Sequence, residues 1–482
     1  MRRKFFTNLS LLLFLNLMIK PFWIFGIDRT VQNSVGAEEY GLYFSLFNFS
    51  LLLNMLLDLG ITNYNNRNIA QNSHLLSKSL SSIVSLRLLL AIVYASVTVI
   101  AALIVGYEGR QFYLLLFLVF NQFLASFILY LRSNLSGLHY FKTDSIISVL
   151  DRFLMIVICG LLLWGGVTEN SFQIEWFVYA QTAAYLLTLI LSLGIVYSKA
   201  QLLKLKFDRT YFIAILKRSY PFALLSLLMA FYYRIDSVML ERMLPDGKEQ
   251  AGIYAQGFRI LDAAAMFAFL YAGLLLPMFS RMIKQKKSIH QLTLFSFLLL
   301  IVPVVGVTFA SYFYRTDLID LLYHQHVETS SIIFGVLILC FLGIATSYIF
   351  GTLLTANGNL RALNLMAVGG VVVNITLNLI LIPRYYALGS AVASLVTQTF
   401  IAILQVILAK RIFHFSVDLK KIVSFLIFIG GVLLFSLLSV NLDFNWIYKF
   451  VAILVFSMLL AFILRLIHLK VLVDLLKNGD EI

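Results

Sequence analysis

Residues 36–70 read GAEEYGLYFSLFNFSLLLNMLLDLGITNYNNRNIA. The stretch opens on a Gly-acidic-acidic-x-Gly-x-Tyr block, runs apolar for about one bilayer thickness, and closes on Asp58-Leu59-Gly60 and an amide-rich loop. Its opening returns 211 positions later, where residues 247–254 read GKEQAGIY. A helix entry repeated at that distance implies that the chain was built twice.

Composition places both copies in a membrane. Of 482 residues, 61% are hydrophobic and 12% charged, against roughly 25% charged in ordinary globular proteins. Apolar runs fall near 8–27, 40–60, 80–105, 111–132, 143–166, 173–197, 212–240, 251–279, 290–314, 330–355, 360–382, 386–409, 419–440 and 446–468. That predicts an all-α polytopic membrane protein of about 14 transmembrane helices, since runs this long and continuously apolar do not fit the alternating strands of a membrane barrel. The N-terminus has a basic start but no small-residue cleavage site, and Lys20-Pro21 interrupts its apolar part, so it reads as a retained first span.

The formal charge of +14 is spread over short loops between apolar segments. It signals positive-inside topology rather than nucleic-acid binding, and it orients both termini to the cytoplasm. Cys159 and Cys340 lie inside apolar runs without metal-like spacing, which predicts packing residues and neither a disulfide nor a zinc site. No loop is long enough for a soluble catalytic domain.

A basic connection at 199–219 divides the chain. Residues 1–198 form an expected N-terminal six-helix lobe, 220–412 a C-terminal six-helix lobe, and 413–482 two additional helices with a short cytoplasmic tail. Six is even, so the two lobes insert in the same orientation, a parallel pseudo-repeat. Asn134-Leu-Ser-Gly137 after the fourth span and Thr355-Ala-Asn-Gly358 after the tenth form a second echo.

The repeated block has a local reading as helix entry and packing. Asp246 and Glu249 have the spacing of a capping box, while Glu38 and Glu39 place negative charge at a helix N-terminus. Gly41 and Gly252 suit close helix contact, and Tyr43 and Tyr254 fall where an interfacial aromatic belt is expected.

Charges inside the spans need a reason, because each costs at least about 2.5 kcal/mol at the centre on the insertion scale. They are Lys20, Asp58, Arg87, Asp151-Arg152, Arg234-x-Asp236 and Arg259-x-x-Asp262. For Arg87 and Asp58, snorkelling to the inner interface is the expectation. Arg259 and Asp262 have the spacing to pair on one helix face, and Asp236 needs a partner on another helix. Lys20, Arg234 and Arg259 are too deep to snorkel and predict a water-filled, net cationic cavity suited to a phosphate or pyrophosphate. Arg152 joins them as a candidate ligand, with Asp151, Asp236 and Asp262 as coupling or charge-pairing groups. Shifted by 211, Arg259 falls on Asn48 and Arg234 on Trp23, so the copies share their entry but not their charges.

No Walker A pattern, phosphate loop, metal cluster or nucleophile elbow is present. His324 and His326 beside Glu328 read as a loose outer pair rather than a metal site. No catalytic residue, cofactor or metal is expected.

VGAEEYGLYFSLFNFSLLLNMLLDLGI with the Arg67-x-Ile-Ala loop, FYYRIDSVMLERMLPDGKEQAGIYAQGFRILD and TANGNLRALN together resemble the polysaccharide biosynthesis or O-antigen (Wzx-type) flippases. These belong to the multidrug/oligosaccharidyl-lipid/polysaccharide (MOP) exporter superfamily, with the drug antiporters and lipid II flippases. The resemblance covers essentially the whole chain. It implies two six-helix lobes in a MATE-like arrangement and alternating access across the bacterial cytoplasmic membrane. The cargo would be a polyprenyl-pyrophosphate-linked oligosaccharide of O-antigen, capsule or exopolysaccharide type. Lys20 and Arg259 would be cavity cations, with Arg234 and Asp236 on the seventh span. Implied partners are the lipid-linked oligosaccharide, membrane lipids and the polysaccharide polymerase and export machinery. A lipid II flippase and a multidrug cation antiporter of the same fold remain open as alternatives, the latter requiring a cavity dominated by carboxylates.

Overall fold

A backbone crossing lipid must satisfy its own polar groups, which leaves an open chain only the helix. In the computed structural model the described residues accordingly form 13 α-helices. Described are residues 14–16, 18–62, 65, 69, 76–138, 140–166, 171–200, 209–415 and 419–467. The basic start, Arg67, most of the basic linker and the C-terminal tail lie outside them. Two compact units emerge, Met1–Gly252 and Ile253–Ile482.

In the first unit a helix runs from residue 18 through a π-helical turn, Trp23–Asp28, into α1 (Arg29–Leu52). Gly36 breaks it, at φ 84° and ψ 171°, a conformation that glycine adopts without the Cβ penalty. Tyr40 OH donates to Asp28 Oδ2 at 2.8 Å. In a straight helix those residues would stand about 18 Å apart, so the chain doubles back at Gly36. The first helix therefore extends to residue 35, past the expected end at 27, and the repeated block opens the second helix.

A 3-10 turn, Asn54–Leu57, then leads to Asp58, Leu59 and Gly60, the last two with positive φ. The unit continues with α2 (Leu76–Val105), α3 (Gly109–Gly137), α4 (Phe141–Trp164), α5 (Ile174–Ala200) and α6 (Arg209–Met243). Buried polar contacts fasten them pairwise, as expected where lipid supplies no hydrophobic drive between helices. Thr182 of α5 donates to Asn121 Oδ1 of α3 at 2.7 Å, and Asn48 of α1 to Ser237 Oγ of α6 at 2.9 Å. Asn16 donates to Ser148 Oγ of α4 at 3.1 Å.

The repeated blocks pack against each other. A Cβ on Gly41 would run into Lys248 O and Gly252 N at the start of α7 (Gly247–Lys284), and a Cβ on Gly252 into Ala37 O. Under the 211-residue shift Gly41 becomes Gly252 and Ala37 becomes Lys248, so each block meets the other through the same atoms. This is the isologous pattern of a two-fold contact, made inside one chain. Gln32 Nε2 adds a hydrogen bond to Gly252 O at 3.0 Å.

The second unit holds the remainder of α7, then α8 (His290–Phe313), the short α9 (Arg315–Leu322), α10 (Val327–Ala356), α11 (Leu360–Phe413), α12 (Leu419–Val440) and α13 (Trp446–Ile463). At 54 residues α11 would be about 80 Å long if straight, far more than a bilayer. Its backbone breaks at Tyr386 (φ 53°, ψ −135°), three residues after Pro383, and a Cβ on Gly389 would strike Leu381 O. Residues eight apart meet backbone to backbone, so α11 is a helical hairpin of two spans. Gly306 of α8 faces Ser457 of α13 without room for a Cβ, and Phe435 of α12 stacks on Phe456 of α13 at 4.2 Å. Tyr314, just past α8, shares a hydrogen bond of 2.8 Å with Ser439 of α12.

Among the described residues eleven helices have the length and apolar composition to cross a membrane. Counting α11 as two gives twelve crossings; the two N-terminal helices that meet at Gly36, which fall outside that apolar set, would bring the total to the fourteen expected from the sequence.

Candidate anion site

The first helix and α4 run side by side in register. Asn16 bonds Ser148, and one turn further along each helix stand Lys20 and Arg152. One guanidinium and one ammonium thus lie at similar depth, with Asp151 alongside. Arg152 Nε is 3.7 Å from Asp151 Oδ2, and its guanidinium sits over the rings of Trp23 (5.5 Å) and Tyr185 (5.8 Å). Arg152 is partly exposed (27%), as is Asp151 (19%). Lys20 makes no hydrogen bond or ion pair to a described residue, yet lies within the field of Arg152, Asp151 and Arg132. Aromatic faces hold Arg152 by attraction to its cationic plane, and its Nη1 donates to Met155 Sδ at 3.6 Å.

Arg132, near the end of α3, is the member that sequence reading missed. Its Nε donates to Asp144 Oδ1 of α4 at 2.7 Å. The signal was a basic residue at the last turn of the fourth span, with an acid twelve positions on across a Gly turn. Together the group has three cations and two carboxylates.

A second cluster joins α1 to α6. Arg234 Nη1 donates to Asn48 Oδ1 at 3.1 Å, and Asn48 in turn donates to Ser237. Asp236 is buried in α6 and engaged. Asn48, which the 211-residue shift aligns with Arg259, is therefore a ligand of a candidate cation. Arg259 and Asp262 are half-buried on α7 in the second unit. The structure thus brings Lys20, Asp151 and Arg152 together, and Arg234 with Asn48 separately.

Two expectations need correction. Arg87 does not snorkel: it is 2% exposed and ion-paired with Asp58, whose carboxylate also accepts from the Gly60 and Thr62 amides at 3.1 Å. Arg87 Nη1 further donates to Ser126 O (2.9 Å) and Oγ (3.0 Å), and the guanidinium lies 4.8 Å from the Tyr130 ring. Partners on two segments, the turn at Asp58 and Thr62 and α3 at Ser126 and Tyr130, replace the water that snorkelling would have supplied. Tyr43 and Tyr254 are not belt residues; they are 2% and 1% exposed. Gln181 Nε2 donates to Tyr43 OH at 2.6 Å, and Tyr254 OH lies 3.5 Å from Ser394 Oγ. The Asp246 carboxylate accepts Gln250 Nε2 at 2.8 Å.

The end of the first unit that carries the repeated block is closed by charge. Arg110 grips Glu39 through both terminal nitrogens (2.8 and 2.6 Å) and Glu175 through Nε (2.5 Å). Arg242 lies 3.8 Å from the Tyr107 ring centroid and 3.0 Å from Glu241, and Gln111 bonds both side chains of that pair at 3.1 Å. Burial, with Glu241 beside it, raises the Tyr107 phenol above its ordinary value and keeps it neutral. No group of three or more His, Cys, Asp or Glu able to hold a metal occurs among the described residues.

A family model described as polysaccharide biosynthesis protein matches residues 25–283, more than half of the chain. The chain belongs to that family. Comparison with curated proteins finds no match. Among solved structures, the lipid II flippase MurJ in an inward closed conformation is similar at TM-score 0.69 and 15% identity, covering 94% of this chain and 98% of that one. An inward-facing multidrug resistance MATE transporter of the MOP superfamily is similar at TM-score 0.64 and 14% identity, covering 81% and 94%. A MOP superfamily transporter from Pyrococcus furiosus, whose binding pocket is described as reversed in polarity, gives TM-score 0.62 and 14% identity, covering 85% and 95%. At these identities the likeness establishes the fold: this member of the polysaccharide biosynthesis family is a multi-pass membrane protein with the MOP superfamily architecture. The matched stretch contains both glycine blocks, Arg132, Arg152, Arg234 and Arg259.

Proposed function

We propose that this protein is a flippase that carries a polyprenyl-pyrophosphate-linked oligosaccharide from the cytoplasmic to the outer leaflet of the bacterial cytoplasmic membrane by alternating access. Both termini would be cytoplasmic and no covalent bond would be made or broken. The observation that carries the reading is the site around Lys20 and Arg152. Cations outnumber carboxylates there, Lys20 makes no hydrogen bond or ion pair to a described residue, and the Arg152 guanidinium is flanked by the Trp23 and Tyr185 rings as well as by Asp151. Arg152 lies about 16 Å along α4 from its start, near the middle of a hydrocarbon core about 30 Å thick. A cation pair at that depth lowers the cost of bringing a pyrophosphate through lipid.

Arg234 and Arg259 would serve the headgroup further along its route, while Asp236 and Asp262 would couple a cation or fix the arginine rotamers. Uniform affinity in both conformations would move nothing, so a gradient or consumption of the product by the polymerase and export machinery must give direction. A multidrug cation antiporter would need an excess of carboxylates at the site, the reverse of what Lys20, Arg132 and Arg152 supply. A lipid II flippase shares the pyrophosphate chemistry, and complementation of a strain lacking its own lipid II flippase separates the two.

The test is translocation of a polyprenyl-diphosphate-linked sugar in proteoliposomes. Lys20→Ala and Arg152→Ala should each lower the rate about tenfold or more, the scale of one lost charged hydrogen bond, with normal membrane insertion. Full activity in both variants would sink the site assignment.

A further inference from the structure

Arg132 and Asp144 stand face to face where the end of α3 meets the start of α4. Their bond uses a single donor, Arg132 Nε. The two terminal amino groups of Arg132, partly exposed at 21%, have no hydrogen-bond partner among the described residues. Asp144 lies two turns before Asp151 and Arg152, so the two pairs are about 12 Å apart along α4. Lys20 senses both arginines, being within the field of Arg132 as well as Arg152. Cations therefore occur at two levels along α4, the Arg132 fork at its start, taken here as the mouth of the site, and a lysine–arginine pair further in.

We infer that Arg132 is the capture group of this site: its free amino fork meets a prenyl-diphosphate headgroup first and passes it to Lys20 and Arg152. Asp144 holds the fork in place and restrains its charge until the headgroup arrives. The inference rests on the anion-site reading above. A guanidinium suits the step because its planar donors match phosphoryl oxygens two at a time. A stepped path suits the membrane, because a charge that never loses its counter-ion avoids most of the desolvation cost. A charge at the mouth acts chiefly on the rate of encounter. A purely structural ion pair makes a different forecast, since removing either partner would then do similar harm.

The experiment measures association of farnesyl diphosphate with the full-length protein in detergent. It is followed by tryptophan fluorescence in stopped flow, with Trp23 lying against Arg152. Arg132→Ala should slow association about tenfold, the low end of electrostatic steering, while the dissociation rate changes little and the effect shrinks at high salt. Asp144→Asn should speed association, because it frees the fork and removes a negative charge from the mouth. Slower association in Asp144→Asn, or an unchanged rate in Arg132→Ala, would overturn the inference. If Arg132→Ala does not fold, the sign of the Asp144→Asn effect decides alone. Arg152→Ala is the separate control: loss of binding there with no effect at Arg132 refutes capture and leaves the site standing, whereas wild-type binding refutes the site itself. Inorganic pyrophosphate is the second ligand. If it associates as fast and as tightly as farnesyl diphosphate, the mouth is selective for soluble phosphate and the lipid assignment fails. Preference for the prenylated form supports it.

Discussion

Arg87 and Asp58 carry opposite charges but opposite degrees of exposure, and that asymmetry sets what each substitution should cost. Arg87 is 2% exposed and Asp58 24%. Removing the arginine leaves a carboxylate that water can reach and that two amides still hold. Removing the acid leaves a guanidinium enclosed among Ser126, Thr62 and Tyr130 with no counter-ion. Asp58→Ala should therefore destabilise the protein by about 3 kcal/mol, the usual cost of an uncompensated buried charge, and Arg87→Ala by clearly less. Thermal melts of the detergent-solubilised variants measure the order; equal loss in both, or a larger loss in Arg87→Ala, would contradict it. The sequence showed that both residues were in spans and needed explaining. It could not show that they meet, because Asp58 lies on a turn whose course depends on Leu59 and Gly60 taking positive φ. Tyr43 and Tyr254 illustrate the same limit. A tyrosine one or two turns inside a helix entry suits an aromatic belt and a buried hydrogen bond equally well. Only the neighbours, Gln181 and Ser394, distinguish them.

Among the elements, the repeated glycine was legible as a packing residue, but its partner was not. The partner is the other copy of the same block, and self-complementarity leaves no mark in a single sequence beyond the repeat itself. The reciprocity has a measurable consequence. Gly41→Ala and Gly252→Ala each put a methyl group into backbone of the opposite block, and each should lower stability by about 1–3 kcal/mol, the range for overpacking. Since both act on one contact, the double variant should lose less than the two single losses combined. Gly194→Ala and Gly430→Ala, where a Cβ meets nothing within 4 Å, should be neutral. Melting temperatures of the five proteins check this, and neutral behaviour at Gly41 would mean that the blocks do not pack tightly in solution. Helix boundaries were less legible for a related reason. The first helix runs to residue 35 because polar residues such as Gln32 can be buried against Gly252, which a hydropathy run that ends at 27 does not reveal.

For the whole molecule, the span count fixes the side on which each later segment lies, and α11 is where the count can fail. As one helix of 54 residues, it would place Asn359 and His414 on opposite sides of the membrane. As a hairpin broken at Tyr386, it places them on the same side and the tip on the other. The charges favour the hairpin: Arg361 stands at one end and Lys410 and Arg411 at the other, and basic loops share the cytoplasmic face. Arg384 is then the exception at the tip, next to the break, where a long side chain can reach the headgroups. The two readings also reverse everything downstream, because α12 and α13 inherit their orientation from the end of α11. Single cysteines at Asn359, Tyr385 and His414, introduced with Cys159 and Cys340 replaced by Ala, separate them in intact cells. A membrane-impermeant maleimide should label Tyr385→Cys from outside and spare Asn359→Cys and His414→Cys until the cells are opened. Replacing the two native cysteines should itself be mild, since both are buried, free thiols and the changes are small in volume. Labelling of Asn359→Cys and His414→Cys from opposite sides would make α11 a single crossing, remove one span from the fourteen and place the C-terminus outside.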